Sequence, residues 1–339
     1  MSNVCVYNSS GSATSFIKFS VTTVPSGIQS YISPLYIFTT FTFTNLSTSG
    51  ATGPTSLTGY GTSYPGYGLT SAVVLSGGIQ YWTVPLTRSY TFNFAGAGSF
   101  HTTSSSATKV GKGAVLTATY GGLKKGDIIA ILVGQQGNNN GDGGGGTFVV
   151  KVNSVGTLSG GTPLFVAGGA GGPGGEADVY QPNNFVDAST GTSGRQGGPG
   201  GSLGAPNYAG AGGTGGNGGS VAVLGGYNSC DAGAGYLTNG AYGGIGSSSA
   251  VPQAFVNGGT GGTNTGSGGF GGGAGYGNFG SRAGGGGGGY SGGGNGGTDS
   301  SGAGGGGGGS YDITGTYSGS ATNTGAGYVT ITACLLYTS

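Results

Sequence analysis

Short runs of alternating hydrophobic and polar residues fill the first half of the chain and recur near its end. In residues 36–44, Phe41 and Phe43 alternate with threonines, which predicts a strand with one buried face and one face in water. Residues 128–133 are apolar throughout, which predicts a strand buried on both faces. The predicted strands are 16–19, 36–44, 79–84, 90–94, 114–120, 128–133, 147–152, 163–167 and 328–332.

Many short strands with glycine-rich turns indicate an all-β sandwich. The last strand, 328–332, is expected to pair with a strand from residues 1–133, because late strands of such sandwiches return beside early ones. The predicted core consists of Phe41, Phe43, Trp82 or its neighbour Tyr81, Phe92, Ile129, Ile131, Val133, Val149, Phe165 and Val329.

Glycine changes the picture after residue 133, because 73 of the 90 glycines lie between residues 134 and 339. A structureless loop of that length inside a domain would be unusual. Polyglycine can instead form an extended left-handed helix with three residues per turn, whose backbone groups pair with neighbouring helices. We therefore predict that the runs 284–289 and 304–309 and the pieces 168–175 and 268–275 are such helices, bonded to one another.

Two other glycine-rich states do not fit the composition. High glycine content without a period is typical of disordered chains, but such chains lack aromatics, and this one has 20 Tyr, 14 Phe and a Trp. Collagen needs glycine at every third position, whereas uninterrupted runs of glycine occur here.

The scarcity of charge excludes several functions. Only 5% of the residues are charged and the net charge is +1, so no nucleic-acid partner is expected. No apolar stretch is long enough to predict a membrane span. With one His and one Glu, the sequence predicts no enzyme, no catalytic residue, no cofactor and no metal.

The segment Asn138-x-Asn140-x-Asp142-Gly143 has the first half of a calcium-loop spacing. Val149 stands where the loop needs its bidentate Glu, so a turn is favoured over a weak cation site.

The remaining reactive side chains show no site pattern. Cys5, Cys230 and Cys334 have neither disulfide nor zinc spacing and are interpreted as free thiols. His101 is interpreted as a solvated loop residue. Lys109, Lys112, Lys124 and Lys125 serve either solubility or an anionic glycan.

Three features bear on location and contacts. Asn8 and Asn45 begin glycosylation sequons, used only if the chain is secreted. The N-terminus has no apolar signal core, so the export route is open. Aromatic residues of the glycine region either plug the bundle or form a contact surface for sugars or a protein. They are Tyr227, Tyr236, Tyr242, Tyr276, Phe279 and Tyr290.

Several motifs resemble the glycine-rich extracellular domain of the anaplastic lymphoma kinase and leukocyte tyrosine kinase receptors. They are 82–85 (WTVP), 131–137 (ILVGQQG), 143–149 (GGGGTFV), 163–172 (PLFVAGGAGG) and 327–331 (GYVTI). The resemblance implies a tumour-necrosis-factor-like sandwich with an insert of polyglycine helices, located outside the cell, which in the receptors takes part in cytokine binding. This chain lacks the kinase motifs and the family's cysteines. Similar domains occur in non-receptor proteins of microbes, viruses and protists, and polyglycine bundles resemble the tips of some phage adhesins.

The predicted fold class is thus all-β: a jelly-roll-like β-sandwich with a long inserted bundle of polyglycine II helices, mostly assigned as loop. The expected divisions are an N-terminal arm (1–35), the sandwich (36–167 plus 310–333), the glycine insert (168–309) and a tail (334–339). The tail, CLLYTS, matches a translated sequencing adapter, and we expect it to be non-native and unpacked.

Two functions are carried forward. The leading one is a structural or adhesive surface protein of a filament, matrix or virion, which self-assembles or contacts a protein or glycan surface. The alternative is a soluble extracellular ligand- or receptor-binding module.

Overall fold

Antiparallel strands make up most of the regular structure of the described part of the chain in this computed structural model, and two short 3₁₀ helices span Thr58–Tyr60 and Phe255–Asn257. The structure describes residues 2–7, 13–19, 35–36, 38–60, 72–100, 110–174, 185–199, 209–222, 230–244, 250–277, 283–297 and 303–334. The strands are β1 (Ser2–Tyr7), β2 (Ala13–Phe19), β3 (Thr40–Thr44), β4 (Val73–Ser76), β5 (Ile79–Thr83), β6 (Tyr90–Ala95), β7 (Gly113–Tyr120), β8 (Ile128–Leu132), β9 (Thr147–Val152), β10 (Thr162–Ala167), β11 (Tyr311–Asp312), β12 (Ser318–Asn323) and β13 (Tyr328–Ala333).

Two antiparallel sheets form a β-sandwich, which confirms the predicted all-β sandwich. The six-stranded sheet has the order β11-β10-β9-β8-β5-β4, and the five-stranded sheet has the order β12-β7-β6-β13-β3. Strand β13 lies between β3 and β6 and pairs with both, as predicted for the last strand. The N-terminal strands β1 and β2 form a separate two-stranded sheet.

The space between the two sheets is filled by large aromatic and aliphatic side chains, and every predicted core residue is buried. The ring of Phe165 on β10 lies 4.9 Å from that of Phe92 and 5.2 Å from that of Phe94, both on β6. Alternation along β6 and β13 therefore identified the inner face correctly, because side chains on a strand point to opposite faces in turn.

A second hydrophobic cluster covers the other face of the six-stranded sheet. Leu132 on β8 and Phe148 on β9 pack there with Tyr236, Phe255 and Phe270, which belong to the glycine-rich region. The central strands of the six-stranded sheet are therefore buried on both faces, which confirms the prediction for the apolar run of β8.

Some strands differ from the prediction. Strand β3 begins at Thr40 rather than at residue 36. Strands β1, β4, β11 and β12 were not predicted, and the last three lie at edges of the two large sheets. The polar sequence of β12 gives no alternating signal, because an edge strand can be held by ladder hydrogen bonds to one neighbour without burying a face.

The expectation that the tail is unpacked is wrong for its first residue. Cys334 is 5% exposed, and its N–H lies 3.4 Å from the carbonyl oxygen of Ser89. Residues 335–339 lie outside the described residues. Within the described part of the chain, no helix has the length and hydrophobicity that crossing a bilayer requires.

Candidate functional site

The centre of the glycine-rich region is residues 284–290, here called the central segment. Its glycines are all buried, although the segment belongs to neither a helix nor a sheet. Its hydrogen bonds to other segments measure 2.7 to 3.2 Å between nitrogen and oxygen. Its N–H groups donate to segments 303–309, 141–144 and 231–234, and its carbonyls accept from 293–296, 169–172 and Ala274.

The direction of these hydrogen bonds repeats every three residues. Gly284, Gly287 and Tyr290 donate to carbonyls of one neighbour, at residues 303, 306 and 309. The residues between them donate with the same spacing to the other two neighbours: Gly285 and Gly288 to residues 141 and 144, and Gly286 and Gly289 to residues 231 and 234. The prediction that the runs 284–289 and 304–309 bond to each other is confirmed.

Close backbone approach explains why this segment is glycine. A Cβ atom placed on Gly287 would lie 2.3 Å from the carbonyl oxygen of Gly169 and 2.6 Å from that of Ala170. Atoms cannot come that close, so any side chain would push the neighbouring segments apart.

The bundle reaches into the part of the chain assigned to the sandwich by sequence. Gly143 donates to Ala274, and Gly144 donates to Ala170. Residues 141–146, between β8 and β9, are thus an integral part of the glycine network.

Asp142 shows what the calcium-like spacing does in the structure. Its carboxylate is fully buried and accepts backbone N–H groups of Asn138, Asn139, Ser267 and Tyr276 at 2.8 to 3.1 Å. Four N–H donors satisfy a carboxylate in the way a cation would, so this geometry favours the turn interpretation. No three His, Cys, Asp or Glu side chains of the described residues are grouped to hold a metal ion.

Asp231 is a second buried carboxylate, which the sequence analysis did not single out. Its Oδ1 accepts the N–H of Gly243 at 2.8 Å, while its Oδ2 has no hydrogen-bond partner. Burial raises the pKa of Asp231 to about 6. Burial also raises the pKa of the neighbouring Cys230 thiol to about 12, and such a thiol is inert rather than nucleophilic.

The described members of the predicted contact aromatics differ in exposure. Tyr236 is 5% exposed, so the structure corrects its place on a contact surface: it packs inside. Tyr242 is 43% exposed, and Tyr276 and Tyr290 are half-buried. Tyr227 and Phe279 lie outside the described residues.

Five aromatic rings form a continuous stack, here called the aromatic ladder, from the sandwich to the glycine bundle. Phe148 stacks on Phe255 at 5.0 Å, and Phe255 stacks on Tyr236 at 5.4 Å between ring centres. Tyr290 lies 6.3 Å from Tyr236 and 4.6 Å from Tyr311. The ladder ties strands β9 and β11 to the glycine-rich insert. Sequence gave no signal for Phe255, because its partners are far away along the chain.

Two clefts flank the turn between β4 and β5. One, of about 660 Å³, is bounded by residues 52–57, Thr260 and Phe270. The other, of about 510 Å³, is bounded by Tyr81, Leu158 and Val256, and both include Gly77. The residues that line them are uncharged, which suits a neutral partner better than an ionic one.

The lysine cluster of the sequence is divided in space. Lys112 precedes β7, whereas Lys124 and Lys125 follow it, and eight residues of strand span roughly 26 Å. Lys109 and His101 lie outside the described residues. The described lysines therefore do not form one patch for an anionic glycan.

The sequon at Asn45 lies in a turn just after β3. The side-chain amide of Asn45 donates to the carbonyl of Thr48, and Leu46 and Ser47 have positive φ. Glycosylation at Asn45 would replace one of the two N–H groups of this amide. Asn8 lies outside the described residues, and the side chain of Cys5 on β1 is not described.

Two comparisons with known proteins found no match for this chain. No protein-family model matches the chain, and no curated protein matches it. The similarity to the receptor domain remains a prediction that rests on the quoted motifs.

Proposed function

We propose that this protein is a non-enzymatic structural or adhesive surface component of a filament, extracellular matrix or virion. The observation that supports the proposal is the central segment, whose backbone is held on all sides by six other segments. Such a network immobilises a long insert without a large apolar core, and rigidity is what a structural or adhesive element needs. The proposed location is outside the cell or on a particle surface.

We further propose that the bonded glycine segments are polyglycine II helices. The three-residue repeat of donors is the repeat of that helix, which has three residues per turn and no internal hydrogen bonds. None of residues 284–289 has a positive φ, which suits its φ near −75°.

A second function is favoured by the paired clefts beside the β4–β5 turn. Their volumes of about 660 and 510 Å³ lie within the range of ligand sites. They would suit a soluble module that binds an uncharged ligand or a receptor loop.

Light scattering after size exclusion separates the two functions. We expect the purified full chain to form large assemblies of uniform mass over a wide range of concentrations. A monomer at every concentration would contradict the structural function and favour the binding module. Arginine at Thr260 in the first cleft is a matched control, since Thr260→Arg should leave assembly unchanged.

A further inference from the structure

Strand β12 is an exposed edge of the five-stranded sheet. It pairs with β7 on one side, and residues 318–320 and 322 are exposed. Its β-bulge lies between Ala321 and Asn323 and leaves residues 318–321 in regular register. The strand contains no charged residue and no proline. Such residues normally guard sheet edges, because unpaired N–H and C=O groups invite pairing with another chain.

The other edges of the two large sheets are shorter or partly covered. Strand β11 has two residues and β4 has four. On β3, the N–H of Thr44 donates to the hydroxyl of Tyr60 at 3.1 Å, and its carbonyl accepts the side-chain amide of Gln80 at 2.9 Å. Strand β12, with six residues, is therefore the edge with the most room for a further strand.

The bonding of β7 shows which side of β12 is open. Residues of an antiparallel strand bond alternately to the strands on either side. On β7, Ala114 bonds towards β6, because its carbonyl accepts the N–H of Gly96 at 2.9 Å. Val115 and Thr117, one and three residues further along, therefore bond towards β12.

Two residues of β12 consequently direct their backbone groups away from the sheet. The residues opposite Val115 and Thr117 are Ser320 and Ser318, so these two serines hold β12 to β7. Gly319 and Ala321 alternate with them and point their N–H and C=O groups outward. No described residue is hydrogen-bonded to these outward groups.

A second copy of β12 matches this open edge. In one antiparallel register, Gly319 of each copy lies opposite Ala321 of the other, and each such pair exchanges two hydrogen bonds. Ser320 then faces its own copy across a twofold axis. Residues 318–321 are small and uncharged, so the backbones can approach and no like charges meet at the axis. We propose that two copies of this protein join through β12, which makes their five-stranded sheets continuous.

This inference rests on the proposed structural function and supplies one of its contacts. Dimers with a twofold axis are the commonest oligomers of soluble chains, and their interface uses the same patch of both copies. Pairing through β12 closes on itself after two copies. A filament or shell therefore needs a second contact, which links these dimers.

Cysteine cross-linking tests both the contact and its register. In the proposed pairing, the Cα atoms of residue 320 in the two copies lie about 4.5 Å apart, which a disulfide can span. Those of residue 318 lie roughly 14 Å apart, which is too far. We expect oxidised Ser320→Cys to form at least tenfold more covalent dimer than Ser318→Cys, a matched control that is equally exposed. Wild-type protein measures the background from the native thiols.

Ala321→Pro provides a second measurement of the same contact. Proline removes an N–H group that points outward and keeps those of Ser318 and Ser320, which point to β7. Light scattering after size exclusion should show at least a twofold fall in the mass of the assembly. The circular dichroism spectrum should stay unchanged.

The outcomes distinguish this contact from the proposed function. If wild type assembles but Ser320→Cys yields no more dimer than Ser318→Cys, pairing through β12 is wrong and the structural function stands. An unchanged assembly mass for Ala321→Pro would overturn the pairing in the same way. If Ser320→Cys yields the dimer but wild type forms nothing larger than a dimer, the pairing is right and the structural function is wrong. A monomeric wild type without cross-linking contradicts both.

Discussion

The carboxylate of Asp142 connects three parts of the chain that are far apart in sequence. It binds the turn at residues 138–139, Ser267 and Tyr276. Burial raises its pKa to about 6, while the four backbone hydrogen bonds act in the opposite direction. A single buried side chain thus fixes where two loops of the glycine region meet the sandwich.

The buried carboxyl groups of Asp142 and Asp231 should make the stability of the fold depend on pH. The pKa values of Asp142 and Asp231 rise to about 6 on folding, from about 3.9 in an unfolded chain. The protonated carboxyl groups therefore contribute fully to the free energy of unfolding below pH 3.9, and this contribution is lost as pH rises through 6. We expect the melting temperature to fall between pH 4 and pH 7. The free energy of unfolding should decrease by roughly 2–3 kcal/mol for each group.

Calorimetry of Asp231→Asn supplies the control, because an amide of the same shape does not titrate. The variant should be less sensitive to pH across this range than the wild type. Identical pH profiles of the two proteins would show that Asp231 is not the source.

A side chain at Gly287 should destabilise the bundle. Its Cβ would overlap the carbonyl oxygens of Gly169 and Ala170, and overpacking typically costs about 1–3 kcal/mol. We expect Gly287→Val to lose at least that much in chemical denaturation. The matched control is Gly191→Val at an exposed position, where the nearest atom to a new Cβ is 3.6 Å away. Equal losses for both variants would contradict close packing at Gly287.

The aromatic ladder attaches the glycine-rich insert to strands of the sandwich. Tyr236 lies in its middle, and its hydroxyl donates to the carbonyl of Gly161 at 2.8 Å. Tyr236→Ala should cost about 3–5 kcal/mol, the usual range for removing a large buried aromatic side chain. Tyr236→Phe removes only the hydrogen bond and should cost about 1 kcal/mol. Thermal denaturation of the two variants measures both values, and similar small losses would show that the ladder does not hold the insert.

How far sequence predicts these elements depends on where their partners lie. Strands β5 to β10 were predicted because their side chains face a core, and burial leaves a pattern along the chain. Strand β12 has no such pattern, and its place is set by pairing with β7.

The same limit applies to the site: glycine runs predicted hydrogen bonds among segments, but a residue without a side chain cannot specify which segment it meets. Phe255 was missed because the rings that it stacks on, Phe148 and Tyr236, are distant along the chain, and Asp231 was missed because it belongs to no recognisable motif.

In the whole molecule, the six-stranded sheet lies between the sandwich core and the glycine-rich region. One face closes the sandwich core and the other carries the glycine-rich region. Most described residues on the inner face of the five-stranded sheet belong to the sandwich core, and most of those on its outer face are half-buried or exposed. The two sheets therefore differ, because the described glycine-rich residues pack on the six-stranded one.

Amide hydrogen exchange should reveal the rigidity of the insert in the intact protein. We expect the amides of the central segment to exchange as slowly as those of β8, because both are buried and hydrogen-bonded. The exposed turn at residues 153–157 provides a rapidly exchanging reference. Exchange in the central segment as fast as in that turn would mean that the network opens readily.

The three-residue repeat of the central segment has a consequence for how its length can change. Removing one glycine would turn every later N–H by a third of a revolution, so that each would face the wrong neighbour. Removing three restores the phase and shifts the remaining residues by roughly 9 Å along the axis. Variants that lack one, two or three residues of 284–289 should therefore not lose stability in simple proportion to length. We expect the three-residue deletion to retain more native structure than either shorter one, because only a change of three residues keeps the repeat of donors.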